Sequence, residues 1–429
     1  MESLLIYNLF PRLAGTFSQW KPHMERAHQM GFNWIFLNPI QEPGLSGSLY
    51  SIKDYYNINP QFVDTENEHS PHEQLQDIIF YANSLDLKVM IDLVINHTAI
   101  DSPLIKKHHD WFLWDENGEI VHPGVREGDK IKAIWGDLAE VDNKNSPDLK
   151  NLWNYWKKLV LDLLHLGFQG FRCDAAYQVP SELWEFLITA AKKEFPNTIF
   201  LAETLGCPIE QTMELGRAGF DYTANSSKWW NWDPAQRWAL IQYEKNARIA
   251  PSISFAETHD TPRLIEEVNG LIEAVKSRHL FAIFFSTGFL MPIGFEFGFH
   301  KRLHVVKTTP DDWEESSTDL QSFIKTTLLN VKKYPVLREE GPIYQISTEN
   351  PWILLLQKLG LKKDQEAVFI VNRDLNNHQR AHIENLQNIC IKSGPITDLS
   401  PDNPMKSVPN QFEYWLAPGQ ARLLLRDEL

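Results

Sequence analysis

Asp174, Glu203 and Asp260 each stand just past a short apolar run, and each is followed by turn-forming or small residues. Carboxylates in such places sit where a strand hands over to a loop. Carboxylates in different surroundings have separated pKa values, so one can hold a proton while its neighbour stays charged. That is the division of labour between acid and nucleophile in acetal cleavage with retention.

The segment Lys88 to His97 reads KVMIDLVINH. Val89, Ile91, Leu93 and Ile95 alternate with Asp92, Val94 and Asn96, so on a strand the two sets face opposite ways. If the apolar odd set packs outward, Asp92 points into the interior, where a carboxylate is costly unless paired. In Gly170-Phe171-Arg172-Cys173-Asp174-Ala175-Ala176, Arg172 and Asp174 share one side of the strand. A cation so placed favours the ionised carboxylate and is expected to lower its pKa. An ionised carboxylate there suits a nucleophile, and the two alanines leave room for a ligand. TIFLAET (Thr198–Thr204) puts Glu203 at a strand end. In Ala256-Glu257-Thr258-His259-Asp260-Thr261-Pro262-Arg263 the adjacent His259 and Asp260 can face one ligand only from a loop, which Pro262 favours.

What must position these groups is a repeating frame. Strands are expected at Leu4–Leu9, Asn33–Asn38, Leu87–Ile95, Gly167–Arg172, Thr198–Ala202, Gly219–Thr223, Ser252–Ala256 and Thr287–Pro292. Helical patterns lie between them, as at Pro71–Leu85, Asp148–Leu166, Pro180–Phe195 and Leu271–Phe284. Alternation of this kind argues a parallel sheet, and eight strands in about 290 residues argue a closed (β/α)8 TIM barrel over an open sheet. The acids then fall at the C-terminal face, where such barrels carry their chemistry. From His97 to about Pro147 there is no clean strand or helix, only turn residues and aromatics. It is expected to be a short insertion after the third strand, at residues 98–147. Beyond about residue 340 come short alternating runs, a small antiparallel β-sandwich domain over 341–429.

Composition narrows the class. The 429 residues carry 41 Lys plus Arg against 56 Asp plus Glu, a net charge of −15, which excludes a general basic surface for nucleic acid. With 43% hydrophobic residues the chain can bury a core. No apolar run reaches membrane-span length, so no membrane is expected as a partner. The N-terminus lacks the basic start of a secretory signal. Three cysteines, Cys173, Cys207 and Cys390, show no metal spacing and suit a reducing, cytoplasmic setting. Aromatics are many, 15 Trp, 12 Tyr and 24 Phe, and aromatic faces bind sugar rings as well as fill cores.

The four segments resemble the signature regions of the α-amylase superfamily, family thirteen of the glycoside hydrolases. DLVINH is similar to its first region, GFRCDAA to its second, the Glu of FLAET to its third and ETHDT to its fourth, in the same order. Ile6-Tyr-Asn-Leu-Phe-Pro11, Tyr50-Ser-Ile-Lys-Asp-Tyr55 and Leu416-Ala-Pro-Gly-Gln420 extend the likeness over nearly the whole chain. The resemblance implies Asp174 as nucleophile, Glu203 as general acid/base and Asp260 as transition-state stabiliser. It implies Tyr50, His97, Arg172 and His259 as substrate-binding residues, Tyr50 by stacking. It implies a retaining double displacement on an α-glucan or malto-oligosaccharide, with nucleophile and acid ~5–5.5 Å apart. Segments 110–140 and 199–220 also look like a maltosyltransferase branch that handles a sugar phosphate. Leu49 stands where the family has Gly. Asn96 matches a calcium ligand of α-amylases, without an identifiable companion carboxylate in the insertion. The resemblance thus leaves calcium open, while no metal ligand is assigned and no cofactor is required.

Lesser features divide between packing and function. Trp229, Trp230 and Trp232 read as a sugar platform or as packing. Lys106-Lys107-His108-His109 reads as a solvated face rather than a phosphate site. Glu257 lines the pocket or caps a loop, and Arg263 positions Asp260 or pairs with Glu266.

Overall fold

The computed structural model describes residues 3–127, 130–362, 364–390 and 394–427. Eight parallel strands close on themselves: β1 (Leu5–Leu9), β2 (Trp34–Leu37), β3 (Lys88–Leu93), β4 (Gly170–Cys173), β5 (Ile199–Ala202), β6 (Tyr222–Ala224), β7 (Ser252–Phe255) and β8 (Gly288–Pro292). Each pairs in register with its sequence neighbour, and β8 returns to β1 through Leu5 opposite Phe289. Helices α1 (Lys21–Met30), α2 (Pro71–Ser84), α3 (Leu149–Leu166), α4 (Ser181–Glu194), α5 (Ile209–Arg217), α6 (Trp238–Asn246), α7 (Ile272–Phe285) and α8 (Gln321–Lys333) follow the strands in turn.

Side-chain parity follows the sequence. Val89, Ile91 and Leu93 pack outward with Phe171 and Cys173 in the layer under the helices. Ile6, Trp34, Phe36, Met90, Leu201, Ile253 and Leu290 fill the barrel interior. Asp92 and Arg172 are cross-strand partners on that interior face, one step nearer the C-terminal mouth than Met90. Local signals set the helix ends. Ser70 and Glu73 form a reciprocal capping box at the start of α2, with Pro71 in its first turn.

Two expected strands begin later than their apolar runs suggest. Gly167, at φ 120°, closes α3 by donating its N–H to Leu163 and Leu164, so β4 starts only at Gly170. Gly219, at φ 104°, likewise belongs to the turn before β6. A glycine that ends a helix in the left-handed region is not a strand residue.

The insertion after β3 is more ordered than expected. His97–Ala99 pairs antiparallel with Leu138–Glu140, Gly124–Glu127 pairs with Lys130–Ile134, and Pro103–Lys107 is a short helix. Strands of three to five residues are too short to show a period, and the first pair joins segments distant in sequence.

The C-terminal part is an antiparallel sheet in the order β9 (Ile343–Ile346), β10 (Ile353–Leu359), β11 (Gln365–Asn372), β15 (Ala421–Asp427), β13 (Ile396–Asp398). A two-stranded ribbon of β12 (Gln379–Ile383) and β14 (Phe412–Leu416) closes a second core with it. Helix α7 is buried on nearly every side, since it lies between barrel and sheet. Ser277 donates to the Gly419 carbonyl, and buried Lys358 Nζ donates to the Phe284 carbonyl at 3.0 Å. A Cβ on Gly419 would meet that of Ala274 at 2.8 Å, so the turn must be glycine for the sheet to seat. The apolar stretch around Leu280–Met291 is thus the end of α7 and the buried strand β8. Among the described residues no helix is long and apolar enough to cross a membrane.

Candidate active site

The strands end where the chemistry begins. Asp174 N–H donates to the Leu93 carbonyl, and Glu203 N–H donates to the Cys173 carbonyl, so each acid is the first residue past its strand and still tied to the ladder. His259 and Asp260 lie on the loop after β7, which ends at Phe255. Both therefore face the mouth despite being adjacent.

One guanidinium organises the group. Arg172 Nη1 donates to Asp92 Oδ1 at 2.9 Å, to Asp92 Oδ2 at 3.0 Å and to Asp174 Oδ1 at 2.7 Å. Its Nη2 lies 3.1 Å from Glu203 Oε2 and 4.0 Å from Asp260 Oδ2. Asp92 is the interior carboxylate foreseen from strand parity, and it is paired. Ala175, held at φ 40°, turns its N–H onto Glu203 Oε2 at 2.7 Å.

Tyr50 is fixed by hydrogen bonds. Its hydroxyl donates to Asp92 Oδ2 at 2.7 Å, accepts from Asn38 Nδ2 at 2.9 Å and lies 2.7 Å from His259 Nε2. Asn38 in turn accepts from Asn8 Nδ2 at 2.8 Å. The rings of Tyr50 and His259 are stacked, with planes 5° apart. His97 Nε2 approaches the Tyr50 carbonyl at 3.1 Å. Asn8 and Asn38 went unremarked in the sequence. Their signal is parity: each is two residues past an interior apolar residue, Ile6 and Phe36.

Burial raises the Glu203 carboxyl to about 7, against the opposing pull of Arg172 and with a further push from Asp174 and Asp260. Burial also raises Asp174, although Arg172 opposes it. Arg172 does pull that pKa down, as the sequence implied, but burial outweighs it and the net shift is upward, which corrects the expected net lowering. Four carboxylates share a single cation, and the depth of the site is not legible in the local motif. Burial works against the charge on Arg172, but Asp92, Glu203 and Asp174 outweigh it and keep the guanidinium protonated. Burial pushes His97 and His259 down to about 4, so both act as neutral imidazoles at pH 7.

Above these groups lies a cleft of about 840 Å³. Tyr50, His97, Asp174, Glu203 and Asp260 line it, and Trp135, Trp229, Trp238, Val305 and Val306 supply apolar walls. Arg172 and His259 line the small pocket just beneath, with Phe36 and Glu203. All seven expected site residues are thus brought together.

The tryptophan cluster divides. Trp229 is 49% exposed and faces the cleft, whereas Trp230 and Trp232 are buried. Arg278 sits 3.6 Å over the Trp232 ring and donates to the Trp230 carbonyl at 2.7 Å. His108 and His109 stack on Trp111 and Trp114, away from the cleft. Arg263 pairs with Glu257 at 2.8 Å rather than with Glu266, and Glu257 also caps the Leu264 N–H. Arg263 donates to the Lys301 carbonyl and Arg302 to the Asp260 carbonyl, which ties the loops after β7 and β8 together.

Asn96 Oδ1 is buried and has no hydrogen-bond partner among the described residues, an oxygen of the kind a hard cation takes. Calcium needs six to eight such oxygens, commonly with carboxylates among them. Among the described residues no group of three or more His, Cys, Asp or Glu side chains converges to hold a metal. The described side chains therefore do not supply the carboxylates that a calcium site commonly uses.

Residues 1–117 match the family described as "Glycogen debranching enzyme, glucanotransferase domain". The chain is 25% identical over 384 residues to an α-1,4-glucan:maltose-1-phosphate maltosyltransferase of Burkholderia pseudomallei, covering 86% of this chain and 33% of that protein. It is 23% identical over 428 residues to α-amylase 2 of Dictyoglomus thermophilum, covering 91% and 71%. It thus spans about a third of the length of that maltosyltransferase. An α-amylase structure from Lactobacillus plantarum shares the fold at a TM-score of 0.77 and 23% identity, covering 98% of both chains. These relatives and neighbours are α-amylases and maltosyltransferases, as the resemblance in the sequence implied.

Proposed function

We propose that this chain is a retaining α-glycosidase of the α-amylase type acting on α-glucans or malto-oligosaccharides. The observation that carries the reading is the Arg172 fork, with Asp174 on one nitrogen and Glu203 on the other beneath an aromatic-walled cleft. Asp174, in the shortest contact with the cation, holds the negative charge. Glu203, pushed up to about 7, holds the proton. Glu203 protonates the glycosidic oxygen as Asp174 attacks the anomeric carbon, giving a covalent glycosyl-enzyme. Glu203 then takes a proton from water, or from a sugar hydroxyl, and the ester is cleaved. Asp260, His97 and His259 hydrogen-bond the ring hydroxyls, contacts that strengthen as positive charge develops. The reading uses no cofactor, no nucleic acid and no membrane, and a cytoplasmic setting suits three cysteines that form no disulfide.

The charge on the cleft supports a neutral substrate. Asp137, Asp174, Glu203 and Asp260 line it, and no lysine or arginine is among the described lining residues. A phosphate dianion would meet net repulsion there. Transfer from a sugar phosphate, the activity named for several relatives, is the second reading and rests on that kinship.

The test is incubation with maltoheptaose, with and without inorganic phosphate, reading product mass and anomeric form. Shorter α-anomeric products in both arms are expected. Maltose phosphate in the phosphate arm would move the assignment to the second reading. Exclusively β-anomeric products would exclude retention.

A further inference from the structure

The C-terminal ribbon carries an exposed face that the cleft does not explain. Phe412 and Leu416 of β14 and Ala381 of β12 point into the second core, so the alternate residues point outward. Trp415 is one of these and is 61% exposed. Directly opposite it in the register is Arg380. Arg380 and Glu413 form a two-bond ion pair, Nε to Oε1 at 3.0 Å and Nη2 to Oε2 at 2.8 Å. Asn350 Nδ2 donates to the Arg380 carbonyl at 3.1 Å, and its Oδ1 accepts from the backbone N–H of Trp352 at 3.0 Å, so the chain at Trp352 is tied to the ribbon. Trp352 is 46% exposed, and the Arg373 guanidinium lies 5.4 Å from its ring centroid.

The make-up of this face discriminates among occupants. A stable protein interface buries about 800 Å² per partner around an apolar centre depleted of charge. Here the two indoles are separate and set among charged groups. Arg380 and Glu413 neutralise each other, and Arg373 donates to the Pro351 carbonyl, so the face offers flat apolar rings beside fixed donors and acceptors. That is the chemistry of a sugar ring, apolar on its faces and hydroxylated at its rim.

We propose that Trp415 and Trp352 form a second α-glucan site, remote from the cleft, that holds a polymeric substrate on the C-terminal domain. The proposal rests on the glucan reading of the cleft, and the test separates the two. Electrophoresis through gels containing glycogen is run in the Asp174→Asn background, so that the matrix is not consumed. Maltoheptaose turnover is measured in the Asp174 protein. The pair Trp415→Ala and Trp352→Ala is expected to weaken glycogen retention about tenfold and to leave maltoheptaose kcat/KM within about twofold. Undiminished retention in the double variant overturns the proposal. So does a dimer of the parent protein, by sedimentation, that the double variant does not form. Retention that depends on both tryptophans without maltoheptaose turnover would uphold this site and remove the catalytic reading. Turnover without retention would do the reverse.

Discussion

The backbone N–H of Ala175 donates to Glu203 Oε2 at 2.7 Å, from a residue held at φ 40°. The residue after the proposed nucleophile thus fixes the orientation of the proposed acid. Burial, which raises Glu203 to about 7, dominates its titration. An acid must be protonated to act, so kcat is expected to fall as pH rises through about 7. The stability sign is the same. A carboxyl whose folded pKa lies above its unfolded value favours folding at low pH and loses that contribution between about pH 4.5 and 7. Glu203→Gln should therefore abolish turnover while raising Tm at pH 8 and leaving it nearly unchanged at pH 4.5. An equal Tm change at both pH values would count against the raised pKa.

Arg172 should be irreplaceable for two reasons. It is the cation shared by Asp92, Asp174 and Glu203, and Asp92 is fully buried. Removing one member of a buried pair leaves an uncompensated charge, at a cost of about 3–5 kcal/mol. Arg172→Ala is expected to lose activity and about that much stability in a urea titration. Arg172→Lys keeps the charge but not the fork, so it should recover part of the stability and little of the turnover. Comparable kcat in the lysine variant would show that the fork is unnecessary.

Much of this was legible in the sequence, and the remainder failed for physical reasons. Strand parity placed Asp92 and Arg172 inside the barrel because the side-chain period of a strand is fixed by its backbone. Asp174, Glu203 and Asp260 were found by their position just past apolar runs. The net direction of the Asp174 titration is not legible locally, because the motif shows its neighbouring cation, whereas the burial and the charge of Asp260 come from other parts of the chain. Glu257 was not read as the partner of Arg263, because the pair closes across a turn whose shape the local sequence leaves open. The ribbon strand β12 and the sheet strand β13 are hard to read locally because they pair at long range and are short.

Tyr50→Phe isolates one hydroxyl. The ring can keep its stack on His259, but Asp92 loses a 2.7 Å donor and His259 a 2.7 Å partner. A hydrogen bond to a charged group is worth about 1.5–3 kcal/mol. The variant should show a reduced kcat with KM nearly unchanged, since the hydroxyl braces protein groups rather than substrate. A rise in KM alone would instead mean that the hydroxyl binds sugar directly.

The neighbours Trp229 and Trp230 should behave oppositely. Trp229 is half exposed over the cleft, and its truncation leaves no cavity. Trp230 is fully buried against Phe281, and losing such a side chain costs about 3–5 kcal/mol. Trp229→Ala is therefore expected to leave Tm within a degree or so and raise KM for maltoheptaose by roughly tenfold, the equivalent of ~1.4 kcal/mol. Trp230→Ala should lower Tm by several degrees, with KM per folded molecule unchanged. Thermal unfolding and initial rates on both variants decide it. If Trp229→Ala leaves KM for every chain length unaltered, its exposed face is not a sugar platform.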